Sequence, residues 1–397
     1  MAPDLSQQPA PAEGAEASSS VAQTDASAPP RRVVTLANYP PPPPQGLAVD
    51  EPETDSEDEP DHPARRAAAA ASSTGPTGAV ESGPSSSTTA AGAQQDGNDS
   101  SDEENEDILA TYGSDEEEID LTHLRLRASG LKSLRLERFA RTLKHLSLRA
   151  NLLRKLPASS HFELMTELSN LDLYDNELEK VPDVIKKLEK LECQTLFFVQ
   201  NKIGRIREED FRGPIAESLK SLELGGNRLR AIEHIDFLSK LEELWLGKNK
   251  ISKLENISGL SSLRILSIQS NRITKLENLA ELTGLEELYI AHNGLTQIGD
   301  GLQANINLKV LDVSGNRIEE IDGVSHLSNL VEFWANDNKI ITFNYLDKHF
   351  GPNLMPQLET LYLEGNPAQR ADGPNYRRKV MLSCPQIKQI DATFVKA

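Results

Sequence analysis

Leucine and isoleucine recur at fixed spacing through most of the chain, and a polar residue follows each apolar cluster. Residues 241–251, 263–273 and 285–295 all read L-x-x-L-x-L-x-x-N-x-L, with leucine or isoleucine at the apolar positions. The polar position recurs every 22 to 28 residues, so the sequence predicts about eleven units that stack on one another. The residues at this position are Ser129, Asn151, Asn176, Asn201, Asn227, Asn249, Asn271, Asn293, Asn316, Asn338 and Asn366.

The spacing within a unit predicts its local structure. The x-L-x-L-x part alternates with period two, which is typical of a short strand that is buried on one face. The asparagine is suited to the turn after the strand, because its amide can pair with backbone groups that the turn leaves unpaired. A 22-residue unit leaves only about ten residues for the return segment, which is enough for a short helix or a 3-10 turn.

This pattern is that of the leucine-rich repeat. It predicts an α/β solenoid, an arc with a parallel concave sheet and short convex helices or 3-10 turns. The three longer units, which end at Asn176, Asn201 and Asn227, predict fuller convex helices over residues 182–192 and 208–218.

Charge divides the chain into a tail and a body. Residues 1–120 hold 25 acidic residues, four arginines and no lysine, whereas the remainder holds 36 acidic and 38 basic residues. The tail is rich in Pro, Ala and Ser and poor in large apolar side chains, so it offers little burial to offset the entropy of ordering. We therefore expect a disordered acidic tail over residues 1–118 and the solenoid over residues 119–366.

Residues 367–397 no longer follow the repeat and are expected to form a C-terminal cap over the last unit. A helix is predicted to begin near Pro374 and to end before Pro385. Three apolar residues spaced four apart lie on one face of this helix and should pack inward; they are Tyr376, Val380 and Cys384. Leu382, Ile387 and Ile390 are expected to complete the cap.

The sequence offers no catalytic constellation. The eight histidines are dispersed, and neither G-x-S-x-G nor H-E-x-x-H occurs. We therefore expect no catalytic, metal-binding or cofactor-binding residues and a protein that is not an enzyme. Two cysteines cannot build a disulfide framework. The sequence shows no apparent signal peptide and no membrane-spanning run, so we expect the protein in the nucleus and cytoplasm. We expect it to be a monomer on its own. The negative charge of the tail argues against direct binding to nucleic acid.

The outward side chain between the two strand leucines of each unit is the informative position. Five of these eleven residues are aromatic, although 19 aromatic residues in 397 would place about half of one there. Exposed tryptophan and tyrosine are frequent binding hot spots, because they bury large rigid area and keep a polar group. The eleven residues are Arg125, Ser147, Asp172, Phe197, Glu223, Trp245, Ser267, Tyr289, Asp312, Trp334 and Tyr362.

A second outward row, two residues earlier, places Glu243, Glu287 and Glu332 beside the aromatic residues. The first units are basic instead, with Arg125 and Arg149 among their outward residues. The sequence thus predicts an aromatic and acidic surface for a protein partner along the concave face.

Three segments resemble a known family. The strings at 332–338 (EFWANDN), 376–382 (YRRKVML) and 390–395 (IDATFV) are similar to those of the protein phosphatase 1 regulatory subunit 7 family, and the resemblance covers residues 119–397. It implies a non-catalytic regulatory subunit that binds the type-1 serine/threonine phosphatase catalytic subunit through the concave face. A solenoid for another client, of the spliceosomal ribonucleoprotein or tubulin-folding type, is the alternative.

The resemblance also implies contact positions. These are Asp172, Phe197, Glu223, Trp245, Asp312, Glu332, Trp334 and Tyr362, of which Trp245 stands where the family often has Phe. Tyr289 joins them from the aromatic row. The nine residues form the predicted partner-binding site, called the concave ridge below.

Overall fold

The computed structural model describes residues 108–110, 112–157, 162–165, 167–187 and 195–395. Within these residues, thirteen short strands form one sheet in chain order, in which β1 to β12 are parallel and β13 pairs antiparallel with β12. The strands are β1 Glu118–Asp120, β2 His145–Ser147, β3 Asn170–Asp172, β4 Thr195–Phe197, β5 Ser221–Glu223, β6 Glu243–Trp245, β7 Ile265–Ser267, β8 Glu287–Tyr289, β9 Val310–Asp312, β10 Glu332–Trp334, β11 Thr360–Tyr362, β12 Gln389–Ile390 and β13 Thr393–Phe394.

The middle residue of each of the first eleven strands points into the core. In β6 this residue is Leu244, which is fully buried and pairs with Leu222 and Leu266 on the adjacent strands. Equivalent leucines therefore stack along the sheet, and the first and third residues of each strand face outward on the concave side. The predicted leucine-rich repeat solenoid with a parallel sheet is confirmed.

Helices in the described residues are few and short. They are α1 Ala128–Ser133, α2 Leu346–Phe350, α3 Pro367–Asp372 and α4 Tyr376–Ser383, with 3-10 helices at Leu136–Phe139, Phe162–Leu164, Ile185–Lys187, Pro214–Glu217 and Gly373–Asn375. The fuller helix predicted over 208–218 is wrong, since Pro214 instead begins a four-residue 3-10 helix after Gly213 at φ +92°. Within 182–187 the chain forms only a 3-10 helix, and 188–192 lie outside the described residues.

The asparagines form the expected ladder. The Nδ2 of Asn249 donates to the carbonyl of Leu246 at 3.0 Å and to that of Leu224, one unit earlier, at 2.9 Å. Its Oδ1 accepts from the backbone N–H of Leu229 at 3.0 Å. The same pattern joins all ten asparagines predicted for this position, so each amide bonds adjacent units together.

The first unit departs from the predicted register. Its strand is β1, in which Ile119 pairs with Leu146 and Asp120 pairs with Ser147. Arg125 follows the strand at φ +53°, and Ser129 lies in α1 rather than in the ladder. The assignment of Arg125 to the outward row was therefore wrong, because buried Ile119 takes the strand's core position. The row begins with the acid Asp120.

The packed body also begins before residue 119. Leu109 is fully buried in the same core, and its carbonyl accepts a 2.6 Å hydrogen bond from the guanidinium of Arg138. Leu109, which composition assigned to the tail, therefore contributes to the packed core. The rest of the predicted tail, residues 1–107, lies outside the described residues.

The C-terminal cap packs largely as predicted. Tyr376 and Val380 are buried on one face of α4, Cys384 is buried directly after the helix ends, and Ile387 and Ile390 are also buried. Leu382 is 74% exposed, which corrects the prediction that it completes the cap. It lies two residues after Val380, so helical geometry turns it away from the buried face. None of the helices described is long and apolar enough to cross a membrane.

Candidate functional site: the aromatic and acidic concave ridge

The sheet places all nine residues of the concave ridge on one face. Eight are the third residues of their strands, and the ninth, Glu332, is the first residue of β10. Strand pairing puts Phe197 beside Glu223, and Glu223 beside Trp245. Ser267 separates Trp245 from Tyr289. Strands in a sheet are about 4.8 Å apart, so the eight steps from β3 to β11 make a strip of roughly 40 Å.

The aromatic residues of the ridge are partly exposed. Phe197, Trp245, Tyr289, Trp334 and Tyr362 all have intermediate exposure and are absent from the buried core. Part of each ring's surface therefore stays in contact with solvent. The rings are thus available to a partner, although they are more covered than freely exposed side chains.

Two pairs of rings stack along the sheet. Trp334 and Tyr362, on adjacent strands, have ring centroids 4.6 Å apart and planes inclined by 27°. Trp245 and Tyr289 lie two strands apart, with centroids at 6.4 Å and planes at 18°. The short side chain of Ser267 on the strand between them leaves room for this approach. Stacked rings hold one another in place, so little side-chain entropy remains to be lost on binding.

An aromatic residue bonds to the glutamate two positions earlier in three strands. The phenol of Tyr289 donates to Glu287 at 2.7 Å, and the indole of Trp334 donates to Glu332 at 3.1 Å. Trp245 donates to Glu243 with a longer distance of 3.4 Å. Residues i and i+2 of a strand share one face, so the repeated Glu-x-aromatic motif was the signal for these pairs. Each bond orients a carboxylate and leaves acceptor capacity for a partner.

Glu223 is the acidic residue in the first half of the ridge whose pKa is most strongly raised. It lies between Phe197 and Trp245 in the strand register. Burial, together with the nearby carboxylates of Glu243 and Asp172, raises its pKa to about 7. Arg149 opposes this effect, and its guanidinium lies 3.5 Å from Asp172.

The second half of the ridge also holds carboxylates with raised pKa. Asp312 is only 8% exposed, and burial raises its pKa although the hydroxyl and N–H of Ser314 donate to it at 2.6 and 3.0 Å. Burial also raises the pKa of Glu332. Ionising these acids is costly in the free protein. A partner that brings cationic groups would relieve this cost, whereas an anionic partner would increase it.

One contributor to the ridge could not be found from the sequence. Gln389, in β12 of the cap, donates from Nε2 to the phenol oxygen of Tyr362 at 2.8 Å. The cap therefore fixes the last aromatic residue of the ridge as well as covering the core. Among the described residues, no group of His, Cys, Asp and Glu is arranged to hold a metal ion.

Comparison with known families identifies the repeats. Family models described as "Leucine rich repeat", "Leucine Rich repeats (2 copies)" and "Leucine Rich repeat" match residues 217–273, 261–304 and 304–320. These matches fall on the units with the most regular spacing. They confirm the repeat that the sequence pattern predicted.

Curated relatives support the resemblance to phosphatase regulators. The "Protein phosphatase 1 regulatory inhibitor subunit PPP1R7 homolog" of Arabidopsis thaliana is 37% identical over 147 residues, which cover 32% of this chain and 42% of the relative. "Protein phosphatase 1 regulatory subunit SDS22" of Schizosaccharomyces pombe is 42% identical over 62 residues, 16% of this chain and 18% of the relative. "Protein phosphatase 1 regulatory subunit 7" of Homo sapiens is 64% identical over 39 residues, 10% of each chain.

The aligned segments span less than half the length of these relatives. Each relative is named as a regulatory subunit, which agrees with the prediction that the chain is not an enzyme. The resemblance to the regulatory subunit 7 family is confirmed by these similarities.

Solved structures support the fold. An internalin (inlF) of Listeria monocytogenes is 17% identical with a TM-score of 0.55, covering 71% of this chain and 82% of that one. The leucine-rich repeat protein LIC12759 of Leptospira interrogans is 26% identical with a TM-score of 0.51, covering 64% and 67%. The solenoid is therefore a shared architecture, and function must be argued from the ridge.

Proposed function

We propose that this leucine-rich repeat protein, a relative of the protein phosphatase 1 regulatory subunits, binds the catalytic subunit of type-1 serine/threonine phosphatase through its concave ridge. In doing so it controls the activity, assembly or localisation of that enzyme. The observation that carries the proposal is the pair of ring stacks set among partly buried carboxylates on one sheet face. Its relatives' names supply the identity of the partner.

The ridge has the composition of a protein-binding site. Trp245, Tyr289, Trp334 and Tyr362 provide pre-oriented aromatic area, and rigid aromatic residues supply much of the affinity in protein interfaces. A strip of roughly 40 Å along the sheet suits a globular partner rather than a small ligand. The chain itself remains non-catalytic and acts by covering part of the partner's surface.

The acids of the ridge favour a partner surface that is positively charged. Asp172, Glu223, Asp312 and Glu332 would pair with lysine or arginine side chains of the phosphatase. These charges steer association and disfavour acidic proteins more than they add raw affinity. We place the protein in the nucleus and cytoplasm, as a monomer when free.

A binding measurement with purified proteins tests the proposal. Titration calorimetry of the full chain against the phosphatase catalytic subunit should show that Trp334→Ala weakens binding by about 2 kcal/mol or more, roughly 30-fold in Kd. Tyr345→Ala is the matched control, because Tyr345 is an aromatic residue that is 54% exposed and lies outside the ridge. Equal affinity of both variants and the wild type, with unchanged thermal unfolding, would contradict binding through the ridge.

A further inference from the structure

The first units of the solenoid carry a concentrated positive charge. Between residues 121 and 157 there are ten lysines and arginines but a single acidic residue, Glu137. All ten basic side chains are exposed. They are Arg125, Arg127, Lys132, Arg135, Arg138, Arg141, Lys144, Arg149, Arg154 and Lys155.

Ion pairs within the body account for part of this charge. Lys144 pairs with Glu117 at 2.7 Å, Arg149 with Asp172 at 3.5 Å, and Arg154 with Glu177 at 3.0 Å. Lys132, Arg135 and Arg141, by contrast, form no ion pair with any residue in the described part of the chain. These three residues lie in and around α1 and the 3-10 helix that follows it. We call them the basic end.

The chain enters the packed body beside the basic end. The guanidinium of Arg138, three residues from Arg135 and Arg141, donates to the carbonyl of buried Leu109 at 2.6 Å. The Thr142 hydroxyl, next to Arg141, donates to the carbonyl of Ser114 at 3.2 Å. Two contacts therefore fix the start of the body against the segment that carries these cations, and residue 107 precedes this point by only two positions.

The residues just before this point have the opposite charge. Residues 99–107 contain six acids and no base. We propose that this segment, the acidic arm, binds back onto the basic end of the same chain. Because the arm is tethered within a few residues of its site, its effective concentration there reaches the millimolar range. Several weak, exposed ion pairs can then together keep the arm bound to the basic end, and added salt weakens this binding by screening the charges.

Docking of the arm has a consequence for partner choice. The exposed cations of the basic end would otherwise attract polyanions such as nucleic acids, through release of their counterions. The arm neutralises this region and leaves the concave ridge, which lies on the sheet, as the surface open to a partner. This proposal does not depend on the identity of the ridge's partner.

Immobilised heparin, a polyanion, tests the occupancy of the basic end in the full chain. One variant neutralises the arm: D99N, D102N, E103Q, E104Q, E106Q and D107N. Its matched control makes the same change in charge in a segment closer to the N-terminus: D50N, E51Q, E53Q, D55N, E57Q and D58N. We expect the arm variant to elute at a clearly higher salt concentration than the control. Adding Lys132→Glu, Arg135→Glu and Arg141→Glu to the arm variant should remove that gain.

A zero-length carbodiimide cross-link adds a direct readout on the wild type. Lys132 should be joined to acids of residues 102–107 at low salt and not at 1 M salt, as detected by mass spectrometry; circular dichroism confirms that each variant remains folded. Elution of arm variant and control at the same salt concentration, or a wild type that already binds heparin as tightly as the arm variant, would overturn the proposal. So would the absence of the cross-link at low salt.

Discussion

The indole N–H of Trp334 donates to the carboxylate of Glu332 at 3.1 Å, while the same indole stacks on Tyr362 with centroids 4.6 Å apart. One side chain thus orients a carboxylate and is itself held by a second ring. Burial raises the pKa of Glu332, and its bond from Trp334 partly offsets this effect. The three residues therefore form a pre-organised group rather than three independent contacts.

Separating the ring from its N–H tests this arrangement. Trp334→Phe keeps an aromatic ring beside Tyr362 but removes the bond that orients Glu332. We expect partner binding to weaken by about 1 kcal/mol, the typical net value of one hydrogen bond, and therefore by less than in Trp334→Ala. Calorimetry with the phosphatase catalytic subunit measures both, and Tyr345→Phe controls for loss of a polar group outside the ridge. Equal losses in Trp334→Phe and Trp334→Ala would show that the ring contributes nothing without its N–H.

The regular units were predictable because each position of the repeat is occupied by one type of residue with one structural role. Leu244 and Asn249 occupy positions that period and polarity alone define, and the structure places both accordingly. The alternation of x-L-x-L-x also predicted the outward row that contains Trp245 and Trp334. Local rules were sufficient there, since each unit contacts only its neighbours.

The register of the first strand could not be predicted in the same way. The L-x-x-L-x-L template fits Leu121, Leu124 and Leu126, yet Leu124 is 43% exposed and the strand instead centres on Ile119. At the end of a solenoid only one side is covered, so several registers satisfy the local pattern. Which of them forms depends on packing against Leu146 and on contacts with Leu109, which no period reveals.

The asparagine ladder should be energetically important. Asn249→Ala leaves the buried N–H of Leu229 without its acceptor. It also removes one of the two amide donors to each of the carbonyls of Leu224 and Leu246, which keep their bonds from the neighbouring ladder asparagines. Leaving this buried N–H unpaired costs about 1–3 kcal/mol, and each lost bond to a carbonyl contributes about 0.5–1.5 kcal/mol, so we expect a loss of about 3 kcal/mol in the free energy of unfolding. Urea denaturation measures this loss. Asn307→Ala, which removes one exposed bond to Thr283, should cost less than about 1 kcal/mol, and similar losses in the two variants would argue against a structural ladder.

The cap helix provides a matched pair of core and surface residues. Val380 is fully buried and Leu382 is 74% exposed, although both belong to α4. Val380→Ala deletes two buried methyl groups and should cost about 2 kcal/mol, from transfer and cavity terms. Leu382→Ala should change stability by less than about 0.5 kcal/mol. Thermal and urea unfolding of both variants check this order, and a larger effect at Leu382 would mean that the cap packs differently.

Glu223 should make stability fall as pH rises. Its pKa is raised from 4.5 to about 7 in the folded state, so between these values the folded state binds more protons than the unfolded state. The free energy of unfolding therefore decreases through this window and becomes independent of Glu223 above it. Glu223→Gln removes the titration, so the stability of this variant relative to the wild type should increase between pH 5 and pH 7.5.

Glu286 supplies the matched control for that titration. Hydrogen bonds from Arg264 and Lys309 lower its pKa to about 2, so its stabilising contribution is lost only as pH falls from about 4.5 towards 2. Glu286→Gln should therefore be less stable than the wild type by an amount that is constant between pH 5 and pH 7.5. Urea denaturation of the three proteins across this range distinguishes the cases. If the difference for Glu223→Gln is as flat as that for Glu286→Gln, the carboxyl between Phe197 and Trp245 is already ionised at pH 5, and burial on the ridge does not hold its proton.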